Sequence, residues 1–123
     1  MKFNDFKKYC LSFIFVTEEN PFQDDEELAA FRVMGKVFAL TNPDTFKYLN
    51  LKCDPIKAAT LRNLYEEVQP GSFMSERHWN TVQLDGILDD EIIKEWIKDS
   101  YDLVVEDLPR KKQRKIEAKE EEE

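Results

Sequence analysis

Apolar residues near the start of the chain fall at helical spacing: Phe3, Phe6, Cys10 and Phe13 or Ile14, with Lys7 and Lys8 between them. The pattern predicts a short amphipathic helix with Asn4 or Asp5 as its cap. From residue 17 to residue 27 the periodicity vanishes in TEENPFQDDEE, where Pro21 interrupts any regular element, so a loop anchored by Phe22 is expected. The period then changes to two. Leu28 to Met34 alternates around Phe31 and Val33, and Val37 to Thr41 is a second β-prone run. Gly35-Lys36 between them predicts a tight hairpin of type II′, because its first central position needs the positive φ that glycine adopts without strain. Lys36 would then sit at an exposed tip.

Asn42-Pro43-Asp44 has turn composition, and Phe46 to Cys53 alternates again. That places Leu49, Leu51 and Cys53 on one side of a third strand and Tyr48, Asn50 and Lys52 on the other. Asp54-Pro55 is an N-cap followed by a proline pre-set for the first helical turn, and Ala58, Leu61, Leu64, Tyr65 and Val68 continue at helical spacing up to Pro70-Gly71. His78 to Leu84 reads as a fourth strand, with Trp79, Thr81 and Gln83 on one face and His78, Asn80, Val82 and Leu84 on the other. After the Asp85-Gly86 turn, Asp89 can cap a last helix while Leu88 reaches forward to Ile93. Its inward stripe is Ile93, Trp96, Ile97, Ser100 and Val104, and Pro109 helps to stop it. The remainder, RKKQRKIEAKEEEE, holds one large apolar residue, Ile116, too little to contribute much to a core, so it reads as a tail or a frayed helix. The order of elements and their short connections predict an α+β fold, an antiparallel sheet covered by helices on one face. Residues 1–109 form the domain and residues 110–123 a charged C-terminal tail.

Composition narrows the functional classes. A chain of 123 residues, 41% hydrophobic with nine Phe and two Trp, supplies one compact core. The apolar run from Tyr9 to Val16 is too short for a signal segment, and no stretch approaches the roughly 18–20 residues of a membrane span. A soluble, cytoplasmic protein is expected. Cys10 and Cys53 read as thiols in a reducing compartment, without zinc-type spacing. The net charge is -8, and residues 1–109, with 12 basic and 21 acidic groups, carry -9. Bulk electrostatic coating of nucleic acid is thereby disfavoured, and any DNA contact must be local.

Candidate chemistry is sparse. Asp24, Asp25, Glu26 and Glu27 cluster but lack the glycine and terminal glutamate of a calcium loop, so an acidic loop is expected and no metal ligand is assigned. No nucleophile elbow, P-loop or dinucleotide fingerprint occurs, and the isolated glycines match turns. No catalytic residue, cofactor or small-molecule substrate is expected.

The segments FRVMGKVFAL (31–40), LNLKCDP (49–55), YEEVQPG (65–71), HWNTVQLDG (78–86) and SYDLV (100–104), in this order and spacing, resemble the MmcQ/YjbR-like family. The resemblance spans roughly residues 1–110. It implies a fold similar to bacterial frataxin, a two-layer sandwich whose sheet is likened to a double-wing DNA-binding motif. On that reading Lys36, Lys52 and Arg77 neutralise phosphates beside His78, Asn80 bonds a phosphate or base edge, and Trp79 stacks on a base or wedges into a groove. The structural alternative packs Trp79 under a helix and leaves the lysines as solvated strand residues. The block Arg110 to Lys115 reads either as a flexible phosphate-binding arm or as a solvated terminus pairing with its own glutamates. Two partners therefore remain open: DNA, or another protein meeting an acidic face.

Overall fold

The computed structural model describes residues 1–19, 28–71 and 74–123. In chain order the elements are α1 (Phe3–Leu11), β1 (Val16–Glu19), β2 (Ala29–Val33), β3 (Lys36–Thr41), β4 (Tyr48–Lys52), α2 (Pro55–Leu64), β5 (Val68–Pro70), β6 (Trp79–Gln83), α3 (Asp90–Glu106) and α4 (Arg110–Glu122). The strands form one antiparallel sheet in the order β1-β2-β3-β4-β6-β5. The expected α+β class and antiparallel sheet are thus present. Among the described residues no helix is long and apolar enough to cross a membrane.

One core joins the sheet to the helices. Phe31, Phe38, Leu49, Leu51 and Val82 from the strands meet Phe6 and Cys10 of α1 and the α3 stripe of Ile93, Trp96, Ile97 and Val104. Ser100, also on that stripe, is fully buried but satisfied: its hydroxyl donates to the carbonyl of Phe38 at 2.6 Å and accepts from the amide of Lys52 at 2.9 Å. A buried hydroxyl without partners would be costly, so this pair of bonds fixes α3 against β3 and β4. At the start of α2 the Asp54 carboxylate accepts from the amides of Ile56 and Lys57, and Pro55 opens the first turn, as the sequence predicts.

The structure departs from the sequence reading at several places; the N-cap of α1 is Lys2 rather than Asn4 or Asp5, and the third predicted strand runs Tyr48–Lys52, with Phe46 before it at a φ of 44°. Val16–Glu19 is a strand rather than the start of a loop, because β2 offers a free edge and pairs it from Val16↔Val33 to Glu19↔Ala30. Residues 20–27, with Phe22 and the Asp24–Glu27 cluster, lie outside the described residues. Helix α2 ends at Leu64, and Val68, placed on the helix by its spacing, instead pairs with Val82 as β5. A β-branched residue fits the sheet edge as well as a helical face, and tertiary pairing decides.

The hairpin loop is Met34-Gly35, with φ of 48° and 91°, closed by the pair Val33↔Lys36. Two positive φ values define a type I′ geometry, whose twist matches that of the flanking strands. Lys36 therefore begins β3 instead of occupying the tip. Finally, residues 110–123 are not a loose tail: they form α4, and Ile116 is buried in the main core at 2% exposure. Gln113 of α4 donates to the carbonyls of Glu106 and Leu108, closing the C-terminal end of α3.

Candidate nucleic-acid interface

The six residues singled out in the sequence fall into two groups. Lys36, Lys52 and His78 gather around one carboxylate, Asp107, just past the end of α3. The Lys36 ammonium donates to the Asp107 backbone carbonyl at 3.4 Å, and Lys52 is ion-paired and hydrogen-bonded to its carboxylate. The hydrogen bond from Lys52, with the charges of Lys52, Lys36 and His78, holds the Asp107 carboxyl below the usual carboxylate range. The lysines also sit where a helix exposes its negative pole, a favourable place for cations. Arg77 lies next to His78 in the exposed turn before β6.

Trp79 and Asn80 do not present themselves as expected. Trp79 is 8% exposed, and Gly71 passes so close that a Cβ at that position would lie 2.8 Å from the Trp79 Cβ. Little of this indole is open for stacking on a base. Asn80 is 3% exposed, and its side chain accepts from Arg62 Nε at 2.7 Å and donates to the carbonyl of Ala58 at 3.5 Å. Arg62 also donates to the carbonyls of Glu76 and Trp79, so one guanidinium of α2 pins the approach to β6. Asn80 is therefore held in place by α2, whereas Trp79, though mostly buried, still borders open space. Lys52, Ser75, His78, Trp79, Leu103 and Asp107 nevertheless line an open cleft of about 450 Å³.

A further set of cations joins this end of the molecule. Arg110, Lys111 and Lys112, all exposed, open α4 three residues after Asp107, within roughly 11 Å of chain. No acidic residue occupies the first turn of α4, and its N-cap, Pro109, provides no side-chain hydrogen bond. Cations at the positive pole of a helix oppose its dipole, so the fold gains nothing from them there.

A family model described as YjbR matches residues 11–103. The chain belongs to the YjbR family. It is similar to the Uncharacterized protein YbdF of Escherichia coli O157:H7, 30% identical over 111 residues that cover 89% of each chain. It is also similar to the Uncharacterized protein YjbR of Escherichia coli strain K12, 28% identical over 115 residues, covering 93% of this chain and 96% of that one. Among solved structures, a Deinococcus radiodurans protein superposes with a TM-score of 0.84 at 27% identity over 94% of this chain and 87% of its own. A Pseudomonas syringae protein does so with a TM-score of 0.71 at 27% identity, over 84% and 98%. The segment matched by the family model ends before α4 and so does not include Arg110 to Lys112.

Sequence reasoning missed Asp107 and Arg62. Their partners lie 71 and 55 residues away for Asp107 and 18 for Arg62, separations that no local pattern encodes. The run of cations after Pro109 was visible, but the docking of their helix through Ile116 and Gln113 was not.

Proposed function

We propose that this protein is a non-catalytic DNA-binding protein that grips the phosphate backbone without reading base sequence, through the cationic end built from Lys36, Lys52, Arg77, His78 and the first turn of α4. The observation that carries this reading is Arg110, Lys111 and Lys112, exposed and set against the α4 dipole, starting three residues along the chain from the Asp107 on which Lys36 and Lys52 converge. Phosphates would compensate charges the fold leaves opposed, and the amides that open α4 add an anion-friendly pole. With Trp79 and Asn80 occupied in packing, the contacts left to the site are to phosphate, which position a duplex but carry no sequence information. This moves the family's implied double-wing contact from the sheet surface to the end of the domain. A non-catalytic role is supported by the thiols: burial raises the pKa of both Cys10 and Cys53, so neither is an activated nucleophile at neutral pH.

The test is fluorescence anisotropy of a labelled random duplex of about 20 bp titrated at a series of salt concentrations from about 50 mM. Affinity should fall with a log–log slope of roughly -3 to -5, independent of sequence. Lys36→Ala or Arg110→Ala should each reduce that slope by about one. No binding at the lowest salt, or slopes unaltered by both substitutions, would defeat the proposal.

A second reading, an interaction module presenting an acidic face to another protein, is supported at the opposite end of α3. There Leu64 and Ile87 are 69% and 93% exposed among carboxylates.

A further inference from the structure

We infer that the groove between the end of α2 and the start of α3 docks a short amphipathic segment of a partner protein, one that carries aliphatic side chains flanked by Lys or Arg. The inference rests on the second reading above and is independent of the nucleic-acid site. The groove, about 610 Å³, has Tyr65, Leu88 and Ile92 as its half-buried floor, and Leu64 and Ile87 stand exposed beside it. The floor is firm, since the Tyr65 ring packs edge-on against Trp96 at 5.2 Å. Two large aliphatic side chains left in water beside a concave apolar floor are the arrangement that a helix-in-groove contact covers.

Charge specifies the occupant. The lining contains Glu66, Glu67 and Asp89 and no Lys or Arg, and among the described residues none of the three takes part in an ion pair. Asp85 adjoins this lining in sequence, while Asp90 and Glu91 are already paired with the Met1 ammonium and Lys94. The acids at the start of α3 suit its positive pole, but Glu66 and Glu67 follow directly on the carbonyl end of α2, where negative charge is disfavoured. A partner supplying cations on both sides of an apolar anchor would satisfy them. A second copy of this chain is a poor occupant: its one segment of that character, around Ile116, is already docked on its own core.

The probe is a labelled amphipathic peptide of about four helical turns, leucines at i, i+3, i+4 and i+7 with Lys and Arg elsewhere, compared with a peptide of the same leucine pattern carrying Glu instead. Anisotropy with the full chain should give micromolar binding of the basic peptide and at least ~10-fold weaker binding of the acidic one. The double variant Leu64→Ser/Ile87→Ser keeps every charge, and both positions are exposed, so its thermal unfolding should match the parent while its affinity drops about 10-fold. Glu66→Gln/Glu67→Gln should weaken binding severalfold and flatten its salt dependence. If the serine variant binds as tightly as the parent, plain charge attraction explains the binding and the groove is discarded, although an acidic interaction face would stand. Equal binding of the two peptides, or binding of neither, removes both the groove and the acidic face. Concentration-dependent self-association abolished by the serine variant would instead assign the groove to a second copy and overturn the proposed partner.

Discussion

The two ends of α3 spend charge in opposite ways. At its C-terminal end Lys36 and Lys52 are tied to Asp107, and Gln113 closes the last carbonyls, so cations and amide serve the fold first. At its N-terminal end, roughly 25 Å away along 17 residues, Glu66 and Glu67 have no cation and Leu64 and Ile87 no cover. What distinguishes a structural charge from a functional one here is the helix pole beside it. Lys36 and Lys52 are explained by the negative pole of α3. Arg110 to Lys112 and Glu66 to Glu67 sit beside poles of their own sign, although the Glu67 carboxylate accepts from the amide of Ile87 at 3.4 Å; on the proposed readings a ligand compensates the rest.

Three changes sharpen or break that contrast. The largest effect is expected at the basic end, where Ile116→Ala removes the buried anchor of α4 and should cost about 2–4 kcal/mol in urea denaturation. The same variant should lose DNA affinity, because the first turn of α4 loses its seat. A cost near zero would mean that α4 is not part of the folded unit and that the cations it presents are a free arm.

Asp107→Asn is expected to be milder, since both partners are partly solvated: under about 1 kcal/mol at neutral pH. The sign of its pH dependence follows from the depressed carboxyl. Such a group stabilises the fold above its unfolded value of about 4 and loses that contribution as the pH falls through the lower folded value. The parent should therefore lose stability below about pH 4 more steeply than the variant, as acid titration followed by circular dichroism would show. With Lys52 freed from the carboxylate and Lys36 relieved of the nearby negative charge, the two lysines should hold DNA more tightly. A weaker complex would mean that Asp107 organises the site instead of competing for it.

The smallest effect belongs to the acidic end. Leu64→Ser should leave stability within about 0.5 kcal/mol, because the side chain touches little that the fold needs. A larger loss in thermal unfolding would turn this apolar edge into an ordinary part of the core and dissolve the contrast.

Local patterning read correctly wherever neighbours in sequence carry the decision. The α3 stripe from Ile93 to Val104, the Asp54-Pro55 start of α2 and the strands β2 to β4 and β6 all depend on period and capping, and all are present, although the strands are buried on both faces over much of their length. The family was legible too, from five segments whose joint spacing few other folds would require. At the candidate site Lys36, Lys52 and His78 lie near one another as the sequence could not show, whereas Asn80 is buried and Trp79 nearly so. A β strand shows which residues share a face and nothing about what lies over that face.

The sequence by itself determined the α+β class, the helix and strand periods and the family, because each is set by interactions within a few residues or by composition. Only the tertiary structure decided that Val68 and residues 16–19 join the sheet, that Ile116 converts a charged terminus into a docked helix, and that Lys36 and Lys52 meet at Asp107. Those outcomes depend on edges, cavities and partners contributed from distant parts of the chain, and such long-range contacts leave no periodic trace in the residues that make them.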